Sequence, residues 1–253
     1  MKLSRIVAGL AFTCCLMLWY QVMADDGSPA PIAGPPARSN KAPDLEQSAL
    51  LKQGLDLAAK GSLQGAIRDC YDPVIAYYER TYNDKRKHYF SARGAAEALL
   101  YVVEGANTNT ATLVVSRNWV EAHFLKGFAL VDLGQLDAAR AEYDAALKLA
   151  PDNSQVRAEI GSLDNRQRKF DEALESYQRA EEDSQYSPPE AKSLDRIHAY
   201  HGLGYAYTEL RQWDKADEMY RKALEIDSND HHALNELQYI QHQRTAQETP
   251  TPR

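Results

Sequence analysis

Residues 127–153 read GFALVDLGQLDAARAEYDAALKLAPDN, and the spacing of the small residues and the tyrosine in this stretch decides the fold. Gly127, Ala139, Tyr143 and Ala146 stand 12, 4 and 3 residues apart. The same intervals return in Gly161, Ala173, Tyr177 and Ala180, and again in Gly204, Ala216, Tyr220 and Ala223. The second set follows the first by 34 residues, and the third follows the second by 43, which is 34 plus a nine-residue insertion around Ser187-Pro188-Pro189-Glu190. Gly54, Ala66 and Cys70 fit the start of the same frame. Apolar residues recur at helical spacing between these marks and strand signals are scarce, so a fixed period of this length means stacked helical units.

The stretch Leu133-Gly134-Gln135-Leu136-Asp137-Ala138-Ala139, with Tyr143, Ala146 and Pro151-Asp152-Asn153, resembles the second half of a tetratricopeptide repeat. Leu203-Gly204-Tyr205-Ala206-Tyr207, with Leu210, Trp213 and Ala216, resembles its first half and turn. Three positions depart from the family pattern: Lys126 stands where Leu is favoured, Asp164 where Tyr is, and Ser228 where proline precedes Asn229-Asp230. The resemblance is firm over 118–240 and looser over 45–117. It implies an all-α, right-handed superhelical α-solenoid of stacked helix-turn-helix repeats. Each unit is a pair of antiparallel helices that cannot bury its apolar face alone, so at least three must stack. A mid-helix Gly costs about 1 kcal/mol against Ala, a cost that is tolerable where a facing helix fills the space. The tyrosines are expected to pack into neighbouring units.

The expected organisation has three repeats at 120–153, 154–187 and 197–230, and a capping helix at 231–243 with Ala233, Leu234, Leu237 and Ile240 on its apolar side. Degenerate helical repeats are expected over 44–119, one near 47–80 and one near 87–119. The least regular part is 67–119. Pro73 sits inside the apolar stripe of Ile67, Cys70, Tyr71, Val74, Ile75 and Tyr78, which predicts a kink or a break at Asp72. Residues 25–43 hold five prolines among Gly, Ser and Ala and read as a disordered tether, and 244–253 read as a disordered tail.

Lys2 and Arg5, an apolar run from Ile6 to Tyr20, and Val22-Met23-Ala24 have the layout of a secretory signal. Cleavage after Ala24 and a periplasmic location are the expectation, with no integral membrane span in the mature chain. Cys14 and Cys15 would leave with the signal, and Cys70 alone cannot form an internal disulfide, so the fold must stand on packing. The net charge of -7 would become -9 without Lys2 and Arg5. Nucleic acid is a poor partner for such a chain, because its phosphates must be neutralised by Lys and Arg.

The sequence shows no nucleophile elbow, phosphate-binding glycine loop, metalloprotease motif or spaced cysteine pair. No catalysis and no cofactor are expected, and the residues fix no oligomeric state. The resemblance implies that the first helix of each unit lines a concave face that holds a protein or peptide partner. On this face it places Glu121, Phe124, Phe128 and Asp132, then Glu159, Asn165 and Arg166, then His201, Tyr205 and Glu209. Phe124 and Phe128, one turn apart, are either an apolar groove for a partner or core under the irregular 87–119 unit. His198, His201, His231 and His232 could converge as metal ligands. Without a Cys or clear carboxylate to complete a set, the plainer reading is exposed histidines near helix starts, and no metal is expected. The function expected is an adaptor in the cell envelope. Two other readings stand beside it: an immunity or inhibitor protein whose negative charge suits a basic toxin or enzyme, and a metal- or ligand-binding protein using the histidines.

Overall fold

The computed structural model describes residues 41–108 and 110–248. The signal at 1–24 and most of the expected tether lie outside these residues. In chain order the elements are α1 (Lys41–Ala59), α2 (Leu63–Ala66), a π-helical turn (Ile67–Tyr71), α3 (Asp72–Thr81), β1 (Lys87–Ser91), α4 (Ala95–Thr108) and β2 (Ala111–Val115). Then follow α5 (Asn118–Asp132), α6 (Leu136–Leu149), α7 (Ser154–Arg166), α8 (Phe170–Asp183), a 3-10 turn (Ser184–Tyr186), α9 (Pro189–Glu209), α10 (Trp213–Ile226) and α11 (His231–Glu248). Consecutive helices from α5 to α11 pack as a helical repeat solenoid.

The recurring Gly and Tyr are one contact. A Cβ on Gly127 would lie 2.5 Å from the Tyr143 ring, and Gly161 and Gly204 stand in the same relation to Tyr177 and Tyr220. Each ring therefore fills the space between the two helices of its own unit, where packing into the neighbour was expected. Tyr177 does both, because Gly202 of the next unit presses on its other side. Seven residues after each of these glycines the turn needs a left-handed residue. Gly134 has φ +73°, while Arg168 and Arg211 hold 61° and 58° at the same position.

Two departures from the family pattern are ion pairs that join units. The ammonium of Lys126 reaches Asp72 at 2.8 Å and Glu142 at 2.7 Å. Buried Asp164 takes the guanidinium of Arg140 from the preceding unit at 2.9 Å. The nine-residue insertion becomes the 3-10 turn and two additional turns at the start of α9, a helix of 21 residues where α7 has 13.

The N-terminal pair, α1 and α2–α3, repeats the glycine contact with a shift. The frame points to Cys70, sixteen residues after Gly54, but the ring against Gly54 belongs to Tyr71, one residue later. The π-helical turn accounts for the extra residue: the Asp72 amide bonds back to the Ile67 carbonyl, a five-residue step. Pro73 follows directly on this widened turn, with Tyr71 and Asp72 both in helical backbone conformation. The predicted kink is thus a widened turn, and the helix runs through Asp72. The helix begins at Lys41, inside the expected tether, because the Asp44 carboxylate accepts from the Tyr78 hydroxyl at 2.7 Å and its carbonyl from Asn118 Nδ2 at 3.0 Å. At the other end α11 runs to Glu248, past the expected boundary at 243, with Arg244 on Asp214 at 2.6 Å.

The expectation of a helical unit over 87–119 is corrected. Residues 87–115 form β1–α4–β2, with the two strands parallel and paired from Lys87↔Ala111 to Ser91↔Val115. Tyr89, Phe90, Thr112, Leu113, Val114 and Val115 are aromatic, β-branched or large apolar residues that suit a pleated surface. α4 covers both strands: the Phe90 and Tyr101 rings stack at 4.7 Å, and Gly105 lies where a Cβ would strike Thr112. This insert is tied back to the repeats. The Asp152 amide donates to the Tyr101 hydroxyl at 3.3 Å. Arg93 donates to Glu97 at 3.0 Å, Asp195 at 2.9 Å and Ser187 at 3.0 Å, all buried or nearly so, and Gly94 packs on Pro188.

Candidate partner-binding face

The first helices of the three repeats, α5, α7 and α9, carry the residues expected on the inner face. Asp132, Arg166 and Tyr205 are exposed, and Phe128, His201 and Glu209 are half-buried. Phe124 and Asn165 are buried instead. The Phe124 ring leans on Tyr143 at 6.1 Å, inside its own unit. Asn165 Nδ2 reaches the Gly202 carbonyl at 3.5 Å and so sits in the joint between the second and third repeats. Across the same joint Arg168 approaches Glu209 at 3.6 Å.

Asp132, Glu159 and Arg166 form one electrostatic group spanning the first two repeats. Glu159, one turn before Leu163 on α7, is 7% exposed. Its carboxyl is pushed up to about 7, chiefly by burial, with Asp132 adding to the shift and Arg166 opposing it. Burial likewise raises Asp132, against the pull of Arg166, and raises Glu121 against Arg117. Glu121 and Glu159 are poorly solvated and only partly compensated by their neighbours, so a cation brought to the face gains more from them than from carboxylates in water. The family resemblance places Glu121 and Glu159 on this face as well. Both occupy inner-face helices, but periodicity alone does not tell a solvated Glu from a desolvated one.

The shift on Glu159 has a stability consequence. A carboxyl whose folded value lies above its ordinary one favours the fold while protonated; that contribution is full below about pH 4.5 and is lost as pH rises through about 7. Glu159→Gln should match the wild type near pH 4.5 and exceed it by about 3 kcal/mol at pH 8. Urea unfolding across this range measures it, and equal pH slopes in the two proteins would contradict it.

The histidines divide. His201 Nε2 pairs with the Asp230 carboxylate, and its ring meets that of His232 at 4.5 Å. Burial, and then the neighbouring His201, hold His198 down to about 4. His231 is exposed. Among the described residues no group of three or more His, Cys, Asp or Glu is arranged to hold a metal ion. Cys70 is buried, and burial pushes its thiol up, away from reactivity. Among the described residues no helix is long and apolar enough to cross a membrane.

The tetratricopeptide repeat family matches the chain twice, over residues 120–153 and 152–229. No curated protein matches it. Among solved structures, Pseudomonas aeruginosa PilF is similar with a TM-score of 0.55 and 17% identity, over 80% of this chain and 71% of that one. MamA from Desulfovibrio magneticus RS-1, residues 41 to the end, is similar with a TM-score of 0.51 and 18% identity, over 79% of this chain and 86% of that one. At such identities the likeness shows the fold alone. With the Gly–Tyr contact repeated in every unit from 120 to 230, and both family matches falling on those units, the chain belongs to the tetratricopeptide repeat family.

Proposed function

We propose that this chain is a non-catalytic scaffold of the cell envelope that binds a segment of a partner protein along α5, α7 and α9. The observation that carries the reading is the exposure of Asp132, Arg166 and Tyr205 on the first helices of consecutive repeats. The desolvated carboxyl of Glu159 interacts electrostatically with Asp132 and Arg166. A side chain held at the edge of ionisation accepts a Lys or Arg from a partner, and the cation draws it into the charged form. Half-buried Phe128 and exposed Tyr205 offer apolar contact on either side of this group. A surface already built loses little entropy on binding, so the scaffold needs no reaction of its own. The envelope location rests on the signal pattern at 1–24.

The test is capture of the C-terminally tagged full chain from its own envelope, followed by mass spectrometry, with an Asp132→Ala, Glu159→Gln, Tyr205→Ala variant alongside. A stoichiometric partner held by the wild type and lost tenfold or more by the folded variant is expected. A partner retained equally by both would contradict the assignment of this face.

A further inference from the structure

The repeat frame sets a carboxyl twice at one position. Glu159 stands sixteen residues after Tyr143, and Glu236 sixteen after Tyr220. After Tyr177, once the nine-residue insertion is allowed for, the same position is Gly202, which presses on the ring. Each carboxyl is the charge that acts most strongly on its tyrosine. Neither is paired. Buried Glu97, Asp164, Asp183, Asp195 and Asp230 each meet an Arg or a His. Glu159, equally buried, and half-buried Glu236 make no hydrogen bond or ion pair with any described residue. The Tyr143 and Tyr220 hydroxyls are buried and likewise unpartnered among the described residues. The Tyr177 hydroxyl, with Gly202 in place of a carboxyl, has Ser162 and Asn165 instead. An unpaired carboxylate in a dry setting is costly, and a cation that reaches it binds more strongly than it would in water.

We propose that Glu159 and Glu236 are equivalent seats for two lysines of one extended partner segment, set five or six residues apart. This rests on the inner face being the partner-binding face, and it extends that face to α11. The spacing follows from the stack. α7 packs on α9, and α9 meets α11 where the His201 and His232 rings stand 4.5 Å apart. Packed helices lie about 8–10 Å apart, so two steps separate the seats by about 16–20 Å. An extended chain rises about 3.3 Å per residue and covers that distance in five or six. Exposed Tyr205, on the intervening helix, gives the residues between the lysines an apolar surface. Lysine fits better than arginine, because a compact ammonium on an apolar stem reaches a recessed carboxyl that a planar guanidinium reaches less easily. The idle tyrosine hydroxyl then supplies a donor to the carboxylate that the cation holds in its charged form.

Two arms test the pair of seats. In the first, end-blocked Gly-Ser peptides carrying two lysines set two, four, six or eight residues apart are titrated into the full chain by calorimetry. Affinity should peak at six, at least tenfold above two, and Glu159→Gln or Glu236→Gln should each remove the preference. In the second, the envelope capture is repeated with Glu236→Gln, which should lose the partner tenfold or more. This variant breaks no bond of the fold, so its melting transition should not fall. Peptides that fail to bind, or that bind regardless of spacing, would overturn the proposal. A partner kept by Glu236→Gln but lost by the Asp132→Ala, Glu159→Gln, Tyr205→Ala variant would also overturn it, while the inner-face reading would stand.

Discussion

Gly202→Ala is expected to destabilise the protein by about 3 kcal/mol, although alanine is the better helix former by about 1 kcal/mol. The reason is the Tyr177 ring. A Cβ on Gly202 would stand 2.1 Å from two of its carbons, and Gly161 closes on it from its own unit at 2.8 Å. The ring is almost wholly buried, with Ala173, Ala180, Ala199 and Leu203 in the same cluster, so it has nowhere to retreat. One methyl must then push apart the second and third repeats. Tyr177→Leu should recover part of the loss in the Gly202→Ala background, because it vacates the contested space. Urea unfolding of the two single variants and the double gives the coupling. An alanine variant as stable as the wild type would show that this joint is not close-packed.

Arg93→Ala is expected to cost about 3–5 kcal/mol at pH 7, the usual loss when one member of a buried charge group is removed. Glu97 has no exposed side-chain surface and Asp195 has little, and the guanidinium serves both. Burial already raises the Glu97 carboxyl, and Arg93 is what holds that rise in check. Without the arginine the carboxyl should rise further and remain neutral to a higher pH. The fold keeps stability while a raised carboxyl is protonated, so the defect should shrink as pH falls from 7 to 4.5. Unfolding measured at both values tests this. A loss below about 1 kcal/mol at pH 7 would mean that the insert is not fastened to the repeats through this group.

These two sites mark the limits of what the sequence discloses. The repeats were legible because the Gly–Tyr contact needs fixed spacing: a ring can fill a helix pair only where the facing residue lacks a Cβ. The same rule misassigned Cys70, since a π-helical turn adds one residue and hands the position to Tyr71. The insert was missed because strands of five residues leave too short a pattern beside an apolar helix, and their register depends on partners distant in sequence. The meeting of Arg93 with Asp195 could not be foreseen either. It joins two irregularities, the insert and the nine-residue insertion, 102 residues apart. On the inner face, the family resemblance placed Asp132, Arg166 and Tyr205, and they are exposed. It could not separate them from Phe124 and Asn165, whose burial depends on tilt within the stack.

Site-specific photo-crosslinking of the full chain in its own cells tests the central claim most directly. The crosslinker is placed in turn at Asp132 and Tyr205 on the first helices, and at Glu175 and Glu225 on the exposed side of the second helices. A single partner protein crosslinked from Asp132 and Tyr205, and absent from Glu175 and Glu225, is the predicted result. Crosslinks from Glu175 or Glu225 alone would show that the partner is held on the opposite face and would contradict the account.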